Sequence, residues 1–457
     1  MGQSIAALDL GTSKTIALVA QKDLAGKLTI LRVETLPSKN AIRRGRIYNS
    51  DETSDIISKL IRKLNNTPET MQIGKIYVGI GGQSLHTKSF KTERKIEGGT
   101  ITRQLLDSME EEATAHTPEF EENLGVISRE YYADGQLAVN PKGTEASVIE
   151  ARFQLVVGNP CLKRNLEKVF SKKEVSVAGY FISPLATAEA VLTPEEKESG
   201  CALVEFGAGV TYFSIYKNKV LKYLITLPLG GLAITKDIRS LNVSENEAET
   251  LKIEHGSVLS VLSDDNTASV NIGYNPPRKV ELAELNWIIE GRVDEIVKNI
   301  EVQIQKSGYS QMLNAGIVIT GGGALLHALP QYIRNQIGKE VRLADAKAYI
   351  NSSEIQLSPS ESCAIGLTIL GKENCLKEKI TKEIVKEENP KQDPQIFTKG
   401  EVEVVIKDPK KGSNPFKSGW KKIKTVFEES PEIIFDYDET DNNNNNNNDN
   451  KSDNKIN

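Results

Sequence analysis

The chain has 457 residues, a formal net charge of −5 and 39% hydrophobic residues, a length that exceeds one simple core and implies two or more domains. The mildly acidic balance, with no basic block in the body, argues against affinity for a nucleic-acid backbone. Cys161, Cys201, Cys363 and Cys375 are scattered without metal-ligand spacing, and no run reaches the roughly 18 apolar residues that span a bilayer, so a disulfide scaffold, a zinc module and an integral membrane protein are all disfavoured.

No basic patch precedes an apolar stretch at the N-terminus, and Ala6 stands where a myristoylation signal after Gly2 has Ser or Thr, so neither secretion nor lipidation is expected. "SIAALDL" predicts a strand, "GTSK" a turn and "TIALVAQ" a second strand, together a hairpin. Ile56, Ile57, Leu60 and Leu64 at helical spacing predict a helix over 51–64, and 76–80 a short buried strand ending at Gly81-Gly82. From 83 to 160 the sequence becomes more polar, mixing a helical run near 104–115 with alternating strands such as "ARFQLVV". This stretch reads as a smaller inserted α+β domain.

After Gly200 the opening pattern returns. "CALVEFGAGVTYFSIYKNKVLKYLITLPLGG" has the same order of buried strand, acidic residue, Gly-rich turn and second strand, which points to an internal duplication. A long amphipathic helix is predicted over 286–306, then a buried strand, "GIVIT", turning on three glycines into another helix. Past 370 the composition becomes Lys/Glu-rich and then Pro-containing, a flexible linker to about 413. In "NPFKSGWKKIKTVFEE", Asn414 is a good N-cap and Pro415 suits the first helical position. Phe416, Trp420, Ile423 and Phe427 form an apolar stripe flanked by Lys417, Lys421, Lys422 and Lys424, a pattern that suits an anionic membrane surface, although a helix docked on the protein body would share the stripe. The Asn tract at 442–448 reads as disordered.

Three Gly-rich turns follow buried strands: Gly11-Thr12-Ser13-Lys14, Gly207-Ala208-Gly209-Val210-Thr211 and Gly321-Gly322-Gly323. Glycine lets backbone N–H groups approach an anion, and hydroxyls with a lysine complete a phosphate cradle. Asp9 and Glu205 precede the first two turns, where a carboxylate would hold Mg²⁺ through water. Any one turn is equally well a tight hairpin. Together they point to one nucleotide clamped between two related domains.

This order of turns resembles the phosphate-1, phosphate-2 and adenosine motifs of the actin, Hsp70 and sugar-kinase superfamily. Within it, "LDLGTSKTIALV", "LPLGGLAITKDI", "AETLKIEHG", "ELAELNWIIEGRVDEIVKNI" and "GIVITGGGA" are similar to the FtsA family of bacterial cell-division proteins, over roughly 5–370. The resemblance implies an α/β, actin-like (ribonuclease H-like) two-domain ATPase fold with an inserted α+β subdomain, followed by the disordered linker and amphipathic helix. It divides the chain into subdomain 1A (1–82, 161–199, 341–375), the inserted 1C (83–160), 2A (200–229, 308–340), 2B (230–307), the linker (376–413), the membrane helix (414–429) and an acidic, Asn-rich tail (430–457). It further implies ATP with Mg²⁺ in the cleft, an adenosine-site role for Glu249 and Lys252, which otherwise read as a solvent-side ion pair, and self-association through 1C. The FtsZ tail peptide would bind 2B, with anionic lipids and other division proteins as further partners at the cytoplasmic face of the division site.

The pattern departs from the family at phosphate-2, where Glu205, Val210 and Tyr212 stand in place of an Asp, a Thr and a second Asp. Fewer hydroxyl and carboxylate groups there weaken metal handling more than nucleotide binding. No residue can be named as the base that activates water, so weak or absent hydrolysis is expected. A further departure is that 430–457 follows the amphipathic helix. His86, His116, His255 and His327 are isolated and read as structural. Two rival readings keep the fold: a small-molecule kinase, for which no catalytic Asp beside an acceptor pocket can be located, and an assembly platform for pili or secretion.

Overall fold

A computed structural model of the chain describes residues 2–65, 72–97, 99–171, 173, 175–259, 268–273, 277–351 and 355–377. Most of the linker, the amphipathic helix with Phe416, Trp420, Lys421, Lys422, Ile423, Lys424 and Phe427, and the tail lie outside the described residues.

The first repeat opens with β1 (Gln3–Leu10) and β2 (Lys14–Lys22), an antiparallel hairpin in register from Gln3 opposite Lys22 to Leu10 opposite Thr15, and β3 (Leu28–Pro37) pairs with β2. A small hairpin, β4 (Ile42–Arg43) and β5 (Arg46–Ile47), leads into α1 (Ser50–Asn65), which buries Ile57, Leu60, Ile61 and Leu64 on the face its spacing predicts. β6 (Lys75–Ile80) lies parallel to β1. The chain then leaves for the inserted segment: β7 (His86–Lys95), α2 (Arg103–Ala115), β8 (Glu122–Ala133), β9 (Gln136–Leu137) and β10 (Val148–Gly158). It returns as α3 (Cys161–Phe170), β11 (Ser176–Ile182), α4 (Ser183–Val191) and α5 (Pro194–Ser199), the last opened by a capping box between Thr193 and Glu196.

The second repeat runs through β12 (Cys201–Phe206), β13 (Thr211–Lys217), β14 (Val220–Leu227), α6 (Gly231–Ile238), α7 (Glu245–Glu254), the hairpin β15 (Ser269–Ile272) and β16 (Arg278–Glu281), α8 (Leu282–Ser307), β17 (Ile317–Thr320), α9 (Leu329–Ile337) and β18 (Val341–Leu343). α10 (Ser362–Leu370) closes the described chain against β1 and α4. Among the described residues the first sheet has the order β11-β6-β1-β2-β3, and the second begins β18-β17-β12-β13-β14. In each, a hairpin carries a third antiparallel strand on one side and two parallel strands on the other, so the duplication read from the sequence is a duplication of topology. Because β18 pairs with β17, the return to the first sheet comes after Leu343 rather than at 341.

The alternation of side chains along β12 separates two environments. Ala202, Val204 and Phe206 join the core under α6, α8 and α9, whereas Leu203 joins the core of the first repeat, which turns Glu205 toward that repeat as well. The inserted segment has its own core around Met109, Tyr131, Ile149 and Phe153. Its β7 also extends the second sheet, meeting β14 at His86 opposite Ile225, with Thr226 Oγ1 donating to the Leu85 carbonyl at 2.9 Å.

α10 packs on α4 through Gly366, where a Cβ would lie 1.8 Å from the Ala186 carbonyl oxygen. Gly366→Ala is therefore expected to force the helices apart and destabilise the protein by about 3 kcal/mol or more. Gly291→Ala on α8, with nothing within 4 Å of the new methyl, should be neutral or stabilising by up to about 1 kcal/mol; paired denaturation midpoints check both.

Candidate functional site

The three glycine turns meet. Gly11 and Gly207 make matching turns at the ends of β1 and β12, since a Cβ on either would lie within 3 Å of a carbonyl three residues on, Lys14 O at 2.6 Å and Val210 O at 2.7 Å. Thr12 rests on the bare Cα of Gly209, where a Cβ would sit 2.6 Å from Thr12 Oγ1. Gly321, at φ +89°, and Gly323 pack on Phe206, so the third turn lies beside the second. Such close approach, to backbone carbonyls at Gly11, Gly207 and Gly321 and to the Thr12 side chain at Gly209, leaves no room for a side chain.

The Thr12 and Thr211 hydroxyls and several carbonyls of the first two turns are already engaged. Thr12 Oγ1 accepts from Gly45 N–H at 2.9 Å, Ser13 is exposed while its carbonyl accepts from Ser38 N–H at 2.9 Å, and Thr211 Oγ1 donates to the Leu229 carbonyl at 2.8 Å. The Gly207 and Ala208 carbonyls accept from Gly231 and Leu232 at the start of α6. Lys252 Nζ donates to Gly231 O, to Thr235 Oγ1 at 2.8 Å and to Glu249 Oε2 at 2.7 Å, with its side chain 13% exposed. Glu249 and Lys252 thus brace α6 against α7 beside the second turn, rather than forming a pair in open solvent. Val210, in place of a hydroxyl, is buried in the first repeat's core.

Asp9 and Glu205 occupy equivalent places, one residue before the end of β1 and β12. Burial raises the Asp9 carboxyl, against a hydrogen bond from Cys363 and the Lys14 charge. Burial and then the Asp9 charge push Glu205 up to about 8. The Thr187 hydroxyl lies close enough to lower it without reaching hydrogen-bond geometry; among the described residues both Thr187 Oγ1 and Glu205 Oε2 are buried without a partner. Two facing acids, one with an orphaned oxygen, suit a hydrated cation between them. Among the described residues no group of three or more His, Cys, Asp or Glu could hold a metal by itself.

Two contacts were not legible in the sequence. Tyr212, opposite Glu205 in the hairpin, places its hydroxyl 2.7 Å from Gly82 N–H as acceptor, joining the second repeat to the end of β6. Lys14 turns to the start of α10, donating to Ser360 Oγ at 2.7 Å and Glu361 Oε1 at 3.2 Å. The signal that could have flagged the latter is Ser358-Pro359-Ser360-Glu361, whose S-x-x-E spacing is that of a capping box.

A duplicated five-strand order with glycine turns converging over an acid pair defines an actin-like fold. The structure resembles a chain of the solved PilM–PilN type IV pilus biogenesis complex, with a TM-score of 0.56 and 12% identity over 80% of this chain and 97% of that one. Residues 202–366 match the family model of the cell division protein FtsA. A cell division protein FtsA from Porphyromonas gingivalis is 30% identical over 344 residues, 74% of this chain and 72% of that protein; one from Neisseria meningitidis is 29% identical over 370 residues, 79% and 89%. The chain belongs to the FtsA family of cell division proteins.

Tyr212→Phe leaves the buried Gly82 N–H without its partner. A loss of about 1–3 kcal/mol is expected, read as a lowered denaturation midpoint relative to the parent protein.

Proposed function

We propose that this chain is an ATP-binding, actin-like division protein that self-associates on the cytoplasmic face of the membrane at the division site and tethers FtsZ filaments there. The observation that carries the nucleotide reading is the convergence of the three turns over Asp9 and Glu205. Gly11, Thr12, Ser13 and Lys14 with Gly207, Ala208, Gly209 and Thr211 would face the phosphates, and Gly321, Gly322 and Gly323 with the braced Glu249–Lys252 end of α7 would face the nucleoside. Asp9 and Glu205 fit Mg²⁺ held through water, and when bound that ion would neutralise phosphate charge. The reading is of nucleotide binding rather than turnover.

Membership of the FtsA family supports the partners. A groove of about 840 Å³ between α6, α8 and α9, lined by charged residues of both signs such as Lys236, Asp237, Glu290 and Arg292 around the 72% exposed Trp287, offers a mixed surface for a short peptide such as the FtsZ tail. The inserted subdomain 1C (83–160) would serve self-association and contacts with other division proteins. No helix among the described residues is long and apolar enough to cross a membrane. We assign attachment to the amphipathic stretch at 414–429, where an apolar stripe is flanked by lysines. Each buried aromatic there contributes roughly 1.5–3 kcal/mol and each lysine near anionic lipid about 1 kcal/mol. Ordering the helix offsets much of this, so one copy binds reversibly, and copies aligned in a filament bind firmly.

Saturating ATP with Mg²⁺ should raise the melting temperature by about 5 °C. Gly209→Val, whose side chain would drive into Thr12, should abolish the rise; an unchanged melting temperature in the parent protein would sink the nucleotide reading. On anionic vesicles, the intact chain should co-sediment and Trp420→Glu should remain in the supernatant. Equal pelleting of both would remove 414–429 as the anchor.

A further inference from the structure

The Glu361 carboxylate occupies a cradle built from the donors that an anion site uses. Its Oε2 accepts from Ser358 N–H at 2.8 Å and Ser358 Oγ at 2.7 Å, and its Oε1 from Ser360 Oγ at 2.6 Å and Lys14 Nζ at 3.2 Å. Lys14 belongs to the first glycine turn, and its ammonium also donates to Ser360 Oγ at 2.7 Å. Ser360 stands across from the third turn, where a Cβ on Gly322 would lie 3.6 Å from Ser360 Cβ. Burial acts to raise the Glu361 carboxyl, but the Ser360 and Ser358 hydrogen bonds and the Lys14 charge hold it below the ordinary value, so it is an anion at neutral pH. Its side chain is 12% exposed against 37% for Lys14, which leaves the lysine the movable partner.

We propose that Glu361 is an internal stand-in for phosphate, an autoinhibitory carboxylate that holds Lys14 at the start of α10 until a nucleotide phosphate takes the lysine over. This rests on the nucleotide reading above. A lysine with a carboxylate at 3.2 Å presents little net charge to an incoming phosphate, and it has to give up a hydrogen-bonded partner before it can contact one. Glu361 thereby sets the nucleotide concentration at which the first turn closes. Release of Lys14 would also loosen the Ser360 contact beside the third turn, so the first and third turns would respond together to one ligand.

The test is a double-mutant cycle on the full-length protein, with MgATP affinity measured by calorimetry for the parent, Glu361→Gln, Lys14→Ala and the double variant. Glutamine retains the acceptor that the Ser358 capping box requires, so the start of α10 is preserved. Glu361→Gln should bind MgATP about three- to tenfold more tightly, Lys14→Ala should bind more weakly, and adding Glu361→Gln to Lys14→Ala should bring no gain. A gain that persists without Lys14 would overturn the lock, because Glu361 would then act by direct repulsion of the phosphates. Binding by the parent with no tightening in Glu361→Gln would overturn the lock alone. Absence of binding in all four proteins would overturn the nucleotide reading and the lock with it.

Discussion

The cleft depends on a steric fact: two strand turns from the two repeats approach to contact, Thr12 against the bare Cα of Gly209. Any side chain at 209 would separate them. With the turns in contact, the penultimate residues of β1 and β12 bring Asp9 and Glu205 into the same buried space, where burial raises both carboxyls and the Asp9 charge raises Glu205 further. The glycines therefore do more than expose backbone amides. They set the separation at which the acids interact, and they allow the third turn to lie on Phe206 beside the second.

Around that contact the repeats are tied by a few directional interactions. Tyr212 reaches from β13 to the Gly82 amide, and Gly81 and Gly45 have no side chains where its hydroxyl lies; a Cβ on them would come within 2.6 and 3.1 Å of it. The inserted segment begins just after Gly82, and its β7 pairs with the edge of the second sheet at Ile225. One tyrosine thus touches the second turn's hairpin and the entrance to the inserted segment. Tyr212 presents a neutral hydroxyl near the cleft, and burial pushes its titration well above the ordinary range. Held by that hydrogen bond, the hydroxyl favours a fixed arrangement of the repeats.

Lys14 and the start of α10 form a polar joint among Ser358, Ser360 and Glu361, while Thr320 Oγ1 at the end of β17 lies 3.1 Å from Ser362 Oγ of α10. A half-buried network with every partner satisfied rigidifies, and one with a movable cationic end can change state when a stronger anion arrives.

Periodicity and glycine placement in the sequence determined the duplicated hairpins, the three turns, the acids that precede them and the long helix of the second repeat, because those features are local: strand alternation, the spacing of α1 and α8, and turns that only glycine tolerates at such close approach. The tertiary structure decided what those residues touch. The 346 residues separating Lys14 from Ser360 and the 130 separating Gly82 from Tyr212 leave no local signature, and neither does the pairing of β7 with β14 or of β18 with β17. Such contacts follow from how two sheets and their helices exclude water together. A side chain's partner there is chosen by packing across the repeats, which no window of neighbouring residues encodes.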